Sequence, residues 1–255
     1  MNERLSPYDA PELYDLMFEG LDFDIPFWLE TGRKAGGPVL DVGCGTGRVL
    51  LPLLEAGVDA DGVDLYEPML ERARQKAAAR GFRPRLAVSN MRDFSLPRRY
   101  ARVILAFNTF AHADTTEAQL STLRSCHGHL QPGGAAVLHM SYPGPRYWAE
   151  PDGEPVMEIE TVRAGDGHRF QMWDTRFKDV VRQSQRSEIE IRELDATGSP
   201  VASHRFQATQ RWVYGFELEL LFRLTGFARW EVFGGFAREP LERGDQQIIA
   251  WAWKA

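Results

Sequence analysis

The chain has 255 residues, a formal net charge of −6, a hydrophobic fraction of 44% and only two cysteines. That length and composition suit a globular protein with one large α/β domain, and they exclude a disulfide framework and a zinc cage. The acidic balance argues against a nucleic acid partner, and since no apolar run approaches about 20 residues and no secretory signal is present, we expect a cytoplasmic protein without a membrane partner.

Residues 1–37 are predicted to form a helical cap over the rest of the chain. Asp9, with Glu12 three residues later, resembles the capping box of a first helix. Asp24 before Pro26 suggests the start of a second helix, because proline is favoured in a first turn.

Residues 38–141 alternate between short apolar runs and helical patterns. The runs at 39–42, 58–65, 84–89, 103–107 and 135–140 predict strands, and the segments 48–56, 68–80 and 116–127 predict helices. This alternation predicts a parallel sheet with helices on both faces.

From residue 142 to 215 the pattern changes. Polar and apolar residues alternate across 154–214, which predicts a β-rich antiparallel insertion that shapes a substrate site, with 142–153 as a boundary loop. Residues 216–255 are predicted to return to the main sheet through a helix at 217–225 and strands at 228–233 and 247–253.

A glycine-rich loop follows the first predicted strand. Gly43, Gly45 and Gly47 stand between this strand and a helix, where an open α/β sheet binds ligands. Asp64 ends the next strand, 21 positions after Gly43, and an acidic residue at that distance accepts hydrogen bonds from ribose hydroxyls. Together these features predict a site for an adenosine-like nucleoside.

Asp41 and the loop spacing distinguish between nucleosides. The glycines read G-x-G-x-G, unlike the dinucleotide pattern G-x-G-x-x-G, and a carboxylate at Asp41 would repel a pyrophosphate. S-adenosylmethionine has no phosphate and carries a sulfonium and an ammonium, which favours it over NAD. The alternative is that Asp41 only caps the following helix and that the glycines only tighten a turn.

These motifs resemble those of class I S-adenosylmethionine-dependent methyltransferases. The resemblance rests on the glycine loop and on the segments 62–70, 89–94, 107–112 and 130–134. It implies a Rossmann-like α/β fold with a seven-stranded, mostly parallel sheet whose last strand is antiparallel. Pattern and resemblance together assign these residues to the cofactor: Tyr14, Asp41, Gly43, Cys44, Gly45, Gly47, Asp64, Leu65, Met69, Asn90, Met91, Arg92, Phe107, Asn108 and His112.

A narrower resemblance is to the amino-sugar N,N-dimethyltransferases and to glycine N-methyltransferase. It implies transfer of a methyl group to a small molecule, with an amine nitrogen as the favoured acceptor and S-adenosylhomocysteine as product. O-methylation of a small metabolite and a non-catalytic nucleoside-binding protein remain open, as does a homodimer.

Two residues are candidates for catalysis. The resemblance favours a place for Tyr14 over the cofactor, and packing of the amino-terminal helix is the alternative. His112 follows the fourth strand and is a candidate proton acceptor, while a solvent-facing loop histidine or a helix cap is the alternative. His139 is a weaker candidate, Cys44 is interpreted as a small filler, and no histidine pair has metal-ligand spacing. Several aromatic and polar residues are possible pocket walls, namely Tyr142, Arg146, Trp148, Trp173 and Trp212.

Overall fold

The computed structural model describes residues 5–18, 20–141 and 143–255. Its strands, in chain order, are β1 (Val39–Val42), β2 (Ala60–Asp64), β3 (Leu86–Val88), β4 (Tyr100–Leu105), β5 (Leu130–Ser141), β6 (Pro155–Val162), β7 (Arg169–Asp179), β8 (Ser184–Leu194), β9 (Pro200–Arg211), β10 (Arg229–Phe233) and β11 (Gln247–Trp253). Its α-helices are α1 (Pro11–Phe18), α2 (Ile25–Arg33), α3 (Leu50–Glu55), α4 (Glu67–Ala79), α5 (Thr116–His129), α6 (Pro145–Ala149) and α7 (Gly215–Leu224).

Seven strands form the main sheet, in the order β10-β11-β5-β4-β1-β2-β3. Strands β1 to β5 pair in parallel, whereas β11 runs antiparallel to both β5 and β10. The prediction of a seven-stranded, mostly parallel sheet with an antiparallel last strand is confirmed. The order reverses direction between β1 and β4, so the carboxyl ends of these two strands border the crevice in which such sheets bind ligands.

Helices cover both faces of the main sheet, as predicted. On one face, Leu123 of α5 and Phe222 of α7 pack against the strands, and on the other Trp28 of α2 and Leu53 of α3 do so. All four side chains are almost completely buried. Strands that are apolar on both faces give the continuous runs seen in the sequence.

The antiparallel sheet has the order β6-β7-β8-β9. Phe170, Ile191 and Phe206 of this sheet form a separate small core with Met17 of α1. The predicted antiparallel β-rich insertion is therefore present. Leu5 adds a short parallel bridge to Phe206, and its carbonyl accepts a hydrogen bond from the Gln207 N–H, so Leu5 lies beside β9.

Two local predictions were wrong. Asp9 does not cap α1: Ser6 caps a short 3-10 helix, Pro7–Asp9, and the Asp9 carboxylate accepts the Ser6 N–H in a capping box. The predicted boundary loop contains helix α6, which begins at Pro145 where proline is tolerated, and the Trp148 indole N–H donates to the Pro143 carbonyl.

Among the residues described, no helix has the length and apolar character needed to cross a membrane.

Candidate active site

The glycine loop has a backbone that other residues would strain. Gly43, Gly45 and Gly47 have φ of 71°, 54° and 91°, in the left-handed region. A Cβ on Gly43 would lie 2.5 Å from the Thr109 Cγ2, and one on Gly45 would lie 3.2 Å from the Met69 Cε. The loop after β1 therefore packs directly against the segment after β4 and against α4.

Cys44 lies inside this loop as a packing residue. Its side chain is buried, and its Sγ would be 2.6 Å from a Cβ on Gly62, so it fills the space that Gly62 leaves free. Burial raises the pKa of the Cys44 thiol well above its usual value, which keeps the thiol neutral and unreactive.

Asp64 closes the loop from the end of β2. Its two carboxylate oxygens accept hydrogen bonds from the Gly45 N–H at 2.8 Å and from the Tyr66 N–H at 2.9 Å. The Leu65 N–H also donates to this carboxylate, and the remaining lone pair is available to a ribose hydroxyl. The neighbouring Leu65 side chain is 52% exposed and offers an apolar surface beside the carboxylate.

Asp41 is a buried carboxyl without a hydrogen-bond partner in the described part of the chain. Its side chain is 2% exposed, and burial raises its pKa to about 8 although Arg48 acts in the opposite direction. It does not cap α3, whose N-cap residue is Val49, so that alternative is wrong. A buried acid in this state is stabilised in its charged form by a bound cation.

Arg48 connects the loop to the helical cap, a role that sequence analysis missed. Its guanidinium pairs with both Asp24 carboxylate oxygens at 2.7 Å, donates to the Leu21 carbonyl and lies 4.6 Å from the Phe107 ring centre. Because the Asp24 carboxylate also accepts from the Trp28 indole N–H, it is not used to cap α2.

Aromatic side chains form a cluster beside Asp64. The Tyr8 ring lies 6.0 Å from Tyr14, 5.3 Å from Tyr66 and 5.5 Å from His112. Burial raises the pKa of Tyr14 to about 12, and Asp41 and Asp64 act in the same direction. Tyr14 also packs on Phe18, so its predicted places beside the cofactor and in the helix packing are compatible.

The Tyr8 hydroxyl and the His112 imidazole form a hydrogen bond of 2.8 Å at Nε2. His112 is partly buried and is also bonded to the Thr209 backbone, so it is not a solvent-facing loop residue. Burial lowers the pKa of His112, which keeps the ring neutral with Nε2 as an acceptor. Tyr8 was not predicted from the sequence, although the Ser6 and Asp9 capping pattern marks its turn as ordered.

The turn after β4 is strained and fastened to β5. Phe107 and Asn108 have φ of 50° and 65°, which is costly for side chains other than glycine. The Phe107 N–H donates to the His139 Nδ1 at 3.3 Å, and the Asn108 N–H donates to the His139 carbonyl at 3.1 Å. Ser141 completes the turn, since its N–H donates to the Asn108 Oδ1 at 2.6 Å.

His139 is therefore a positioning residue and not an acceptor for substrate protons. Because its Nδ1 accepts from Phe107, its Nε2–H donates to the Gln247 side chain at 3.0 Å. Its side chain is almost fully buried, and this burial lowers its pKa and keeps it neutral.

The remaining predicted cofactor residues follow β3 or lie on α4. The Asn90 Oδ1 accepts the Arg92 N–H at 3.0 Å and retains one lone pair, while Met91 packs against the main core. The Arg92 guanidinium pairs with Asp114 at 2.8 Å. Met69 is 1% exposed and touches the loop at Gly45.

The predicted pocket walls separate into two groups. Trp148 and Trp212 lie 5.3 Å apart, together with Tyr147. Trp173 lies away from them, with the Arg192 guanidinium over its ring, and Arg146 is exposed beside Glu150. Tyr142 lies outside the described residues. Within the described ranges no group of side chains has the composition of a metal site.

The fold and this site define a Rossmann-like nucleoside-binding enzyme. Residues 39–134, which include the glycine loop, Asp64 and the turn after β4, match the family model described as a methyltransferase domain. Residues 39–134 thus form a methyltransferase domain that uses S-adenosylmethionine.

Curated relatives cover most of the chain. It is 27% identical over 252 residues to the cypemycin N-terminal methyltransferase of a Streptomyces species, covering 96% of each chain. It is 28% identical to the dTDP-3-amino-3,4,6-trideoxy-alpha-D-glucopyranose N,N-dimethyltransferase of Streptomyces venezuelae, over 72% of this chain and 74% of that one. The solved structure of the CcbJ methyltransferase from Streptomyces caelestis has the same fold, with a TM-score of 0.77, 24% identity and 98% coverage of each chain.

The residues present fit S-adenosylmethionine. The glycine loop leaves space that a Cβ would fill, and the partnerless Asp41 carboxyl suits a cationic ligand without phosphate. We expect Asp64 to hold the ribose, and Asn90 and Met91 to lie beside the adenine.

Proposed function

We propose that the protein transfers a methyl group from S-adenosylmethionine to the nitrogen of a small-molecule amine. The carrying observation is the Tyr8–His112 hydrogen bond, which places a neutral acceptor beside the cluster that borders Asp64. An amine must lose a proton to complete the reaction, whereas binding of a nucleoside alone needs no such pair. Relatives named as an N-terminal methyltransferase and as an N,N-dimethyltransferase support this acceptor class.

Under this proposal the chain aligns the reactants and accepts one proton. Bound S-adenosylmethionine supplies an activated methyl group on a sulfonium sulfur. The amine nitrogen forms the new C–N bond as the C–S bond breaks, and alignment alone is worth about 7–11 kcal/mol. The Tyr8 oxygen then accepts the amine proton while its own proton passes to the His112 Nε2, so no isolated phenolate is formed.

The strained turn and the four-stranded sheet complete the proposed site. Phe107 and Asn108 flank the methionine arm, held in place by His139. Tyr14 covers the cofactor. The insertion at 142–215 shapes the acceptor site. The other parts of the chain around this site are the helical cap at 1–37, the cofactor-binding core at 38–141 and the carboxyl-terminal segment at 216–255, which rejoins the main sheet. We further propose a cytoplasmic protein that forms a homodimer and binds neither nucleic acid nor membrane.

The first test is calorimetric binding of S-adenosylhomocysteine, with NAD as a parallel ligand. We expect micromolar binding of S-adenosylhomocysteine only, and a loss of about 100-fold in Asp64→Ala because charged hydrogen bonds to the ribose are removed. Asp59→Ala, at the opposite end of β2, is the control and should bind normally. Binding of NAD alone would overturn the assigned cofactor site.

The second test offers matched amines and alcohols with S-adenosylmethionine and detects methylated products by mass spectrometry. We expect transfer to amines, with a rate that falls when Tyr8 is replaced by phenylalanine. Transfer to alcohols alone would establish an O-methyltransferase. Tight cofactor binding without transfer to any acceptor would favour a non-catalytic protein.

A further inference from the structure

A cavity of about 440 Å³ lies between α5 and the segment that joins β3 to β4. On the helix, Ser121, Arg124 and Ser125 line it, and their spacing of three and four positions places them on one face of α5. The space is named here the α5 cavity. The side chains of its opposite wall are Arg92, Asp93, Ser95 and Arg99.

The α5 cavity lies away from the crevice proposed for methyl transfer. Helix α5 runs from the carboxyl end of β4 to the amino end of β5, so its second half approaches the amino ends of the strands. The segment 92–99 likewise leads into the amino end of β4. Ligands in the crevice of such a sheet bind at the carboxyl ends instead. Of the cavity walls, only Arg92 is also a predicted cofactor residue, and the cavity is therefore a separate place for a ligand.

Hydrogen bonds hold the two walls of the α5 cavity together. The Ser125 hydroxyl donates to the Arg92 carbonyl at 2.8 Å, and the Leu96 N–H donates to the His129 Nε2 at 3.0 Å. Because Nε2 accepts, Nδ1 carries the ring hydrogen, which it donates to the Ser125 carbonyl at 2.7 Å. The buried Phe94 ring packs on this imidazole, with 4.4 Å between the ring centres. The cavity is thus formed before a ligand binds, which favours binding.

The walls of the cavity carry a positive charge, although the whole chain carries −6. Three arginines and one aspartate line the space. The Arg92 guanidinium is neutralised by Asp114, with which it pairs at 2.8 Å. The carboxylate of the wall, Asp93, makes no ion pair with these arginines in the described part of the chain. The guanidiniums of Arg99 and Arg124 therefore outnumber it.

Neither of these two guanidiniums has an anionic partner within the described ranges. The Arg99 Nη1 donates only to backbone carbonyls, those of Leu96 at 3.1 Å and of Arg98 at 3.3 Å. The Arg124 guanidinium has no hydrogen bond and no ion pair among the described residues. Burial lowers the pKa of His129 and Arg99 lowers it further, so the positive charge of Arg99 acts on the wall itself. A bound anion would neutralise this charge.

A phosphate group matches these donors in charge and geometry. A guanidinium offers two parallel N–H groups to a pair of phosphate oxygens, and two guanidiniums can share one tetrahedral anion. The Ser95 and Ser121 hydroxyls make no hydrogen bond among the described residues and are available to further oxygens. The cavity has the size of a small-molecule site, and a chain of net charge −6 repels a long polyanion. The ligand class is therefore phosphate or a small phosphorylated molecule.

We propose that the α5 cavity is a binding site for a phosphate group, with Arg99 and Arg124 as its cationic ligands. Ser95 and Ser121 donate hydrogen bonds to the remaining oxygens, and Arg92 stays paired with Asp114. The site is independent of the proposed amine transfer, because its two cationic ligands take no part in that reaction. A phosphate is therefore bound while the cofactor is in place.

Calorimetry on the full chain saturated with S-adenosylhomocysteine tests the site, since the cofactor pocket is then filled. Inorganic phosphate and glycerol 3-phosphate are titrated in turn in a chloride buffer. We expect one bound anion per chain, and affinities lower by about tenfold in Arg99→Gln and in Arg124→Gln, because each change removes charged hydrogen bonds. Tighter binding of either anion supports the site, and the difference tells a phosphorylated metabolite from free phosphate.

Arg83→Gln is the matched control. Arg83 is exposed and, like Arg124, has no ion pair among the described residues, but it does not line the cavity. Arg99 and Arg124 are exposed as well, so their glutamine variants should fold, which thermal unfolding checks. Unchanged affinity in both test variants, or an equal loss in Arg83→Gln, would show an adventitious ion only and overturn the site. No binding at about 10 mM phosphate would overturn it too.

Chemical modification of arginine locates the anion without any variant. Phenylglyoxal reacts with exposed guanidinium groups, and peptide mass spectrometry measures the modified fraction at each arginine. Phosphate should protect Arg99 and Arg124 and leave Arg83 unprotected, because the bound oxyanion covers only the two guanidiniums of the cavity. Equal modification of all three residues with and without phosphate would overturn the site.

Discussion

The Tyr8 hydroxyl and the His112 Nε2 are 2.8 Å apart, although 104 positions separate the two residues in the chain. Tyr8 belongs to the short 3-10 helix Pro7–Asp9, and His112 belongs to the segment that follows β4. Their hydrogen bond therefore joins the helical cap to the carboxyl end of a central strand of the main sheet. Gln210 reaches the same nitrogen from β9. Three parts of the chain thus meet at one imidazole.

Replacing either partner should slow catalysis more than it weakens cofactor binding. We expect Tyr8→Phe and His112→Gln to lower kcat by about 100-fold, within the range for a positioned proton acceptor. Since burial lowers the pKa of His112 below its usual 6.5, its protonation should add a further acidic limb to the rate profile below pH 6.5, beyond the loss caused by protonation of the amine itself. His112→Gln should lose this acidic limb, and the exposed His204→Gln should retain it. An unchanged pH profile in His112→Gln would remove His112 from proton transfer.

Asp41→Asn should raise stability and lower cofactor affinity. The carboxyl pKa is about 8 in the folded protein against 3.8 in a free side chain, so between these values folding takes up a proton and stability falls as pH rises. The amide removes this penalty, and we expect a few kcal/mol more stability at pH 7 in urea unfolding. Calorimetry should show weaker S-adenosylhomocysteine binding.

Asp61→Asn is the matched comparison for Asp41. Asp61 is equally buried, but its carboxylate accepts from Tyr100 at 3.0 Å and from Arg98 at 3.1 Å. Its replacement should therefore destabilise the protein, because the buried Tyr100 hydroxyl loses a charged acceptor and Arg98 keeps only its pair with Asp59. The free energy of unfolding should thus rise in Asp41→Asn and fall in Asp61→Asn. A less stable Asp41→Asn would contradict the raised pKa of the buried Asp41 carboxyl.

Gly43→Ala should lower the free energy of unfolding for two reasons, a strained backbone and a steric clash, which can be measured separately. Gly57 has a similar φ of 77° and no atom within 4 Å of an added Cβ, so Gly57→Ala measures only the backbone cost of about 1–2 kcal/mol. Gly43→Ala adds the clash with Thr109, worth about 1–3 kcal/mol more. Adding Thr109→Ala to Gly43→Ala should recover the second part, and urea unfolding measures each variant. No recovery would show that the strain lies elsewhere.

Acid should loosen the turn after β4 through His139. Its folded pKa is lowered by burial, so its contribution is complete above the unfolded value of about 6.5 and is lost as pH falls, by about 1.4 kcal/mol per pH unit. Protonation also removes the acceptor of the Phe107 N–H. Melting temperatures between pH 7 and 5 should fall more steeply for wild type and His204→Gln than for His139→Gln. Parallel curves for all three proteins would exclude this role.

Local signals in the sequence were enough to predict the part of the site assigned to the nucleoside, namely the glycine loop and Asp64. The glycine loop and Asp64 are set by the strand–turn–helix pattern, and the structure brings Asp64 to the Gly45 N–H. Tyr8 and Arg48 were missed because their partners, His112 and Asp24, are distant in sequence and no spacing rule connects them.

The polar end of the inner face of the four-stranded sheet did leave a signal in the sequence. Along β7 the apolar Phe170 and Met172 are followed, at the same alternation, by Asp174 and Arg176. Charged residues continuing the buried face of a strand indicate either an internal ion pair or a ligand. The strand alternation was recognised, but the break in its buried face was not interpreted.

The bridge between Leu5 and Phe206 bears on how the protein folds. The units around β1 to β5 bring together residues that are near in sequence, and such contacts form early. We expect Tyr8 to be held beside His112 only after β9 has been synthesised and has paired with Leu5. We therefore expect nascent or partly refolded chains to bind the nucleoside before they gain turnover, because the proposed catalytic pair would be assembled last.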